Sequence, residues 1–333
     1  MRGDMPGCRV RRGCACGRRA GCTRVARPGH TPNLFTLPTG NVGLGLGVQF
    51  LHQSRYVGMS ADWAGGQLIS PSIQPVDGER NVAAVYDQID VPLLKSLTFS
   101  QSGRYDRYSD FGGAFSPRFQ PVRTPTMYGS YTRGLRAPPL IENTASRTFG
   151  PQDVVDAQDP ANPGAYHVVE EIRAGKRSLP PERTKHCNLG FLASPTRDID
   201  IDIGFDFGFG FDWYKIHIDN VIGTDDVQAV VNRNDPSTVI RNANGSIAYV
   251  LRPDRNLSYL DTDGFEATFR QPVATRIGTF TLSGDWAHVW HFKMPVGGVT
   301  RDFAGNNGAL NQPFGGSSPR WKGNTNLDWN DRR

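Results

Sequence analysis

The sequence predicts an all-β protein, an antiparallel transmembrane β-barrel with short turns at one end and long loops at the other. Three observations carry this. The stretch DIDIDIGFDFGFGFDW, Asp198 to Trp213, has Ile, Phe or Trp at every odd position and Asp or Gly at every even one. Connections between such stretches alternate between short and long. No run of about 18 apolar residues occurs, so helical spans are excluded, while 38 Gly and 24 Pro supply many turns.

A period of two sends successive side chains to opposite faces of a strand. At about 3.3 Å per residue, Asp198 to Trp213 extends about 50 Å. Strands of soluble sheets average about 5–6 residues, whereas a tilted membrane strand needs about 9–11. Such a strand shows an apolar face to lipid and a polar face to the lumen. Ile201, Ile203, Phe205 and Phe207 are therefore expected to point outward, and Asp200, Asp202 and Asp206 inward. A calcium loop fails, because its required sixth-position Gly and twelfth-position Glu are Ile203 and Phe209. A soluble sandwich with one buried face remains open on this segment.

The elements follow in order. Residues 1–33 form an Arg/Cys/Gly-rich head expected to be disordered, since it has too few apolar groups to bury. Residues 1–30 carry eight Arg and one acid, Asp4, for a charge of +7. The chain's net charge is +5, so the remainder sums to −2 and gives no nucleic-acid footprint. Cys8, Cys14, Cys16 and Cys22 lack the paired CxxC spacing of common zinc sites. The head has no apolar core of an export signal.

Ten strands are expected over about 41–51, 81–91, 97–106, 113–120, 126–133, 186–193, 198–213, 259–270, 278–288 and 320–330. In VGLGLGVQF, Val42, Leu44, Leu46, Val48 and Phe50 alternate with Gly and Gln; no Lys-Ser/Thr follows, so this is no phosphate loop. LTFSQSGRYDR, GFEATFR, GTFTLSGDWAH and RWKGNTNLDWN repeat the alternation. The short connections are PLLKS, PVRTP, SPTR and QPVATRI; the long ones are about 52–80, 134–185, 214–258 and 289–319. Short turns on one side and long loops on the other characterise outer-membrane barrels. No helix of useful length is read between strands, which argues against α/β folds. Aromatics gather near strand ends, among them Tyr105, Tyr131, Trp213, Trp286, Trp290, Trp321 and Trp329, as interfacial girdles would.

A catalytic reading finds little. His288 and His291 form H-x-x-H, but a three-residue offset on a strand points them to opposite faces. No nucleophile elbow and no Walker A sequence occurs. The loop acids Asp153, Asp156, Glu170 and Glu171 read as solvated. Cys187 stands alone in a strand and reads as structural. No catalytic residue, metal site or cofactor is expected, and no ligand-binding residue is assigned.

Specific motifs then point to a family. RNVAAVYDQIDVPLLKSLTFSQSGRYDRYSDFGGAFSPRF (80–119), GSYTRGLRAPPL (129–140), LPPERTKHCNLGFLASPTRDIDI (179–201), DWYKIHIDNVIG (212–223) and SPRWKGNTNLDW (318–329) fall in the order found in TonB-dependent outer-membrane receptors, which the chain resembles over roughly 34–330. Leu135, Pro180 and Cys187 depart from the family pattern. The resemblance implies a partial TonB-dependent receptor β-barrel domain over residues 34–333, about ten strands of a larger barrel of about 22. It implies periplasmic turns, extracellular loops and energised uptake of a scarce solute such as an iron–siderophore complex across a Gram-negative outer membrane. The expected partners are outer-membrane lipid, the extracellular ligand and, in the full-length family, the TonB system. The family's signal peptide, TonB box, plug and closing strands do not fit in this sequence, so a plug-less fragment unable to transport alone is expected. A passive porin or adhesin barrel and a soluble β-sandwich binding module remain the alternatives.

Overall fold

The computed structural model describes residues 20–26, 33–57, 76–123, 127–144, 147–177, 179–193, 208–296, 298–306 and 319–331. Its strands are β1 (Ala20–Ala26), β2 (Asn33–Leu37), β3 (Gly40–Val57), β4 (Val76–Leu94), β5 (Leu97–Tyr108), β6 (Gly112–Arg123), β7 (Met127–Arg136), β8 (Arg147–Asp156), β9 (Ala165–Ala174), β10 (Glu182–Ala193) and β11 (Gly208–Asp219). Then come β12 (Ile222–Gly223), the helix α1 (Val227–Arg233), β13 (Val239–Arg241), β14 (Ile247–Pro253), β15 (Arg255–Asn256), β16 (Tyr259–Thr275), β17 (Gly278–Val296), β18 (Val299–Asp302) and β19 (Trp321–Asn330).

One 13-stranded sheet forms a wall in the order β1-β3-β4-β5-β6-β7-β10-β11-β16-β17-β18, with β2 beside β3 and β19 beside β17. Every pairing in it is antiparallel, and among the described residues the sheet does not close on itself. Nine of the ten expected strands are present in it, and the seventh is present from Gly208 onward. Several run farther than the alternation suggested: β3 continues to Val57 and β17 to Val296. Residues 198–207 of the expected seventh strand lie outside the described residues, and β11 carries the remainder of that pattern.

The register sorts the alternating residues onto two faces. On one lie Phe209, Phe211 and Trp213 of β11, opposite Phe269, Ala267 and Phe265 of β16. Phe211 stacks on Phe265 at 5.4 Å, and Trp321 meets Phe265 edge-on at 5.9 Å. The other face is polar. There Arg104 bonds Asp106 and Gln49, Ser100 bonds Asp90, Tyr128 donates to Asp212, and Ser130 donates to Asn188. Asp87 breaks the apolar face, opposite Leu46 and Gly103. A Cβ at Gly103 would lie 2.8 Å from its Oδ1, so the glycine leaves the carboxylate room. On β17, Phe280 and Trp290 stand ten residues apart, about 33 Å along the strand and about 23 Å along a membrane normal at 45° tilt. An apolar band of outer-membrane barrels is about 25 Å tall. No described helix is long and apolar enough to cross a membrane, so any crossing is by strands.

Three expectations change. Ala20–Ala26, placed in an unstructured head, pairs with β3 from Ala20↔Ser54 to Ala26↔Val48. The free edge of β3 offers unpaired N–H and C=O groups, and backbone pairing needs no apolar side chains. The long connections 134–185 and 214–258 are not bare loops, since β8, β9, α1, β13 and β14 fold within them. Finally, His288 and His291 do not face opposite ways. A bulge places His291 opposite Asp263 but His288 opposite Phe265, and residues two apart on β16 share a face. His291 bonds Asp263 at 2.9 Å, while the His288 ring packs 4.1 Å from Trp321. Among the described residues no group of three metal-ligating side chains forms.

Candidate ligand cleft at the loop end of the wall

The long connections build a small domain at one end of the wall. Its sheet runs β13-β14-β9-β8, with β14 parallel to β9 and the other pairs antiparallel. Helix α1 covers it. Asp226 caps the helix by accepting from Ala229 N–H at 2.9 Å. Asn234 ends it in the left-handed region at φ 48°, its N–H bonding the carbonyls of Val230 and Val231. The V-x-x-V-V spacing turns Val227, Val230 and Val231 onto one helix side, as a period of 3.6 requires. Val230 and Val231 bury against Val154, Val169, Val239 and Val250. Gln228 pins the helix to β8 by bonding both N–H and C=O of Val155 at 2.8 Å.

Buried ion pairs join the parts. Arg241 grips Asp156, which is 2% exposed, and also reaches the Gly245 carbonyl and Asn234. Arg252 pairs with Glu171 at 2.7 Å. The expectation of four solvated loop acids therefore holds for exposed Asp153 and Glu170 but fails for Asp156 and Glu171. Alternation along β8 and β9 sends those two inward, where guanidinium groups from distant loops meet them. Arg136 forks onto Glu182 with two 2.6 Å bonds, and Glu182 also accepts from Ile222 N–H at 2.8 Å. Arg173 pairs with Asp254 at 2.7 Å. Burial pushes the Asp254 carboxyl up, against the pull of Arg173. Arg241 hydrogen bonds hold the Asp156 carboxyl below its usual range.

A cleft of about 740 Å³ opens between this domain and the wall. Thr224, Asp225, Asp226, Arg233, Arg252 and Arg255 line it, together with the apolar Leu257, Met294 and Val296. Met294 belongs to a buried core with Val221, Leu260 and Phe303 at the wall's loop end. Three guanidinium groups converge on one residue. Arg233 and Arg255 pair with the Asp225 carboxylate, and Arg252 donates to the Asp225 carbonyl at 2.7 Å and to Thr224 Oγ1 at 2.8 Å. Arg233 and Arg255 remain about half exposed, with side chains 54% and 51% accessible. Such a rim offers forked N–H donors to carboxylate, phosphate or phenolate oxygens. Sequence reading assigned no ligand residue here. The usable signal was local: Asp226, the V-x-x-V-V spacing and Asn234 together spell a capped helix inside the 214–258 connection.

The model of the TonB-dependent receptor-like β-barrel family matches residues 25–333. No curated protein gives a significant match. Among solved structures, the siderophore receptor PirA from Acinetobacter baumannii is 13% identical, with 94% of this chain and 40% of that one covered at a TM-score of 0.53. A variant of the ferric enterobactin receptor PfeA from Pseudomonas aeruginosa, in complex with enterobactin, is 14% identical, with 93% and 39% covered and a TM-score of 0.57. A double mutant of the Serratia marcescens hemophore receptor HasR, in complex with the hemophore HasA and heme, is 16% identical, with 83% and 42% covered and a TM-score of 0.52. At these identities the likeness shows the fold alone. The chain spans about two fifths of the length of these structures.

Proposed function

This chain belongs to the TonB-dependent receptor β-barrel family, and from that premise we propose that it serves as part of the wall and outer loops of an outer-membrane uptake receptor, with the cleft over Arg233, Arg252 and Arg255 taking an anionic iron complex. The family is one of transport receptors, not enzymes, and its members are outer-membrane barrels. The convergence of three arginines on Asp225 beside an apolar floor carries the reading. A ferric complex with anionic oxygens and a planar or aromatic body matches both sides of such a cleft. The siderophore and heme receptors among the structural neighbours support the substrate class. Coupling to the TonB system is proposed at the level of the family.

The test uses the full chain refolded in detergent, with tryptophan quenching on addition of ferric complexes of negative, zero and positive charge. Anionic complexes are expected to bind, and Arg233→Gln with Arg255→Gln to weaken them about tenfold or more, since hydrogen bonds to charged groups contribute about 1.5–3 kcal/mol. Equal affinity across the three charge classes, or an unchanged affinity in the double variant, overturns the cleft as the site.

A further inference from the structure

The Asp225 carboxylate stands between the two most accessible cations of the cleft. Arg233 Nη2 donates to its Oδ2 at 2.7 Å, and Arg255 Nη2 donates to its Oδ1. Both arginine side chains are about half exposed, while the Asp225 side chain between them is 20% exposed. The third arginine is committed elsewhere. Arg252 is 14% exposed and pairs with Glu171 at 2.7 Å. Asp226, the other acid lining the cleft, turns its side chain to its own helix and accepts from Ala229 N–H at 2.9 Å. The cations that can meet a ligand are thus Arg233 and Arg255, and one carboxylate already bridges them.

The backbone beneath that carboxylate is held by other groups. Arg252 Nε donates to the Asp225 carbonyl at 2.7 Å, and its Nη2 donates to Thr224 Oγ1 at 2.8 Å. Ile222 and Gly223 pair with Asn256 and Arg255 across β12 and β15. The Asp226 cap fixes the turn that follows. Turning the Asp225 side chain away therefore asks for rotation about its own bonds and breaks none of these contacts. Ion pairs with water at hand contribute little to stability, because solvent screens them and long side chains lose freedom in making them. An anionic ligand oxygen takes guanidinium N–H donors as a carboxylate does. Exchanging one anion for the other leaves neither arginine without a partner.

We propose that Asp225 is a displaceable counter-ion of the cleft: its carboxylate couples Arg233 to Arg255 until the anionic oxygens of a ligand take them over, and retakes them as the ligand leaves. The inference rests on the reading of the cleft as the site for an anionic iron complex and adds the residue that sets how tightly that complex is held. An uptake receptor must bind its cargo and also let it go. A carboxylate tethered beside the two arginines competes at a high effective concentration. It therefore lowers affinity chiefly by speeding release.

The experiment mixes the full chain, refolded in detergent, with a trianionic ferric tricatecholate and with a neutral ferric trihydroxamate. Tryptophan quenching is followed by stopped flow. Asp225→Asn keeps the shape and removes the charge. It should tighten the tricatecholate about tenfold, the scale of one hydrogen bond to a charged group, through slower dissociation, and leave the trihydroxamate unchanged. Unchanged or weaker tricatecholate binding in the variant overturns the proposal, since the carboxylate then props the arginines instead of competing for them. An equal gain for the trihydroxamate overturns it too. So does a gain carried by the association rate alone, which is the mark of long-range charge. Asp225→Ser is measured beside it, with amide exchange of α1 in both variants. Loss of α1 protection in both shows a carboxylate that the fold requires, and the proposal fails. The cleft reading is judged apart from this. A native chain that prefers the tricatecholate, with that preference unaltered by Asp225→Asn, removes the inference alone. Native chain and Asp225→Asn both without preference between the two complexes remove the cleft as the site, and the inference with it.

Discussion

Arg241 and Asp156 meet in a two-pronged pair, Nη1 to Oδ2 at 2.7 Å and Nη2 to Oδ1 at 3.0 Å, across 85 positions of sequence. The pair closes the loop-end domain, because Asp156 ends β8 and Arg241 ends β13 at opposite edges of its sheet. Hydrogen bonds from Arg241 lower the Asp156 pKa, so the ionised form is favoured in the fold. The stabilisation is therefore complete above the ordinary Asp value of about 3.9 and is lost as pH falls from there through the folded value. Amide exchange of β8 and β14 should lose protection as pH drops below about 4. Arg241→Gln should cost about 3–5 kcal/mol at neutral pH and remove that acid limb. An acid limb of unchanged depth in the variant would rule out this pair as its origin.

Glu142 should behave in the opposite sense. It lies between Arg136 at 3.8 Å and Arg173 at 4.0 Å, and its Oε2 has no hydrogen-bond partner among the described residues. Burial raises its pKa more than the arginines lower it. The folded state thus favours the protonated acid, and stability falls as pH rises from the ordinary Glu range through the folded value. Glu142→Gln keeps the shape without the charge. It should match or exceed the native chain in thermal stability at pH 7, and the difference should vanish at pH 4. A variant less stable at pH 7 by more than about 1 kcal/mol would show that the charge is net favourable.

The two faces of β16 should respond differently to charge. Phe269 points outward between Phe265 and Val273, while Thr268 points to the polar face opposite Gly210. Phe269→Arg should destabilise the chain in lipid vesicles by about 2–4 kcal/mol or more, and Thr268→Arg by much less. Urea titrations of the vesicle-inserted chain measure both. Similar costs at the two positions would contradict the assignment of faces.

Helix α1 should depend on its capping residue. Asp226→Ala removes the acceptor for Ala229 N–H and should cost about 0.5–2 kcal/mol of local stability. Because Asp225 precedes the cap and Val227 and Arg233 open and close the helix beside the cleft, ligand affinity should fall with it. Asp226→Asn, which keeps an acceptor, should restore most of both. Exchange rates of the α1 amides decide between them.

The wall was legible one strand at a time, because alternation needs only the chain's own period to say which side chains share a face. Trp213 and Phe265 could be assigned to a common kind of surface without knowing that they stand opposite each other. The family motifs added strand order and the sense of short turns against long loops. What the sequence could not show depends on which chain segments meet. Asp156 and Glu171 read as solvated loop acids because nothing local reveals that Arg241 and Arg252 reach them from another connection. His288 and His291 were assigned opposite faces by counting, and a bulge against β16 reversed that count. The edge pairing of Ala20–Ala26 with β3 is carried by backbone groups, which leave no mark in residue type. The cleft arginines converge because the 214–258 connection folds back on itself, so that Arg252 and Arg255 meet Thr224 and Asp225 from 27 to 30 positions away, a contact no short stretch encodes. Local periodicity determined the faces of this protein; loop closure and register, whose energies arise only between distant segments, determined its candidate cleft.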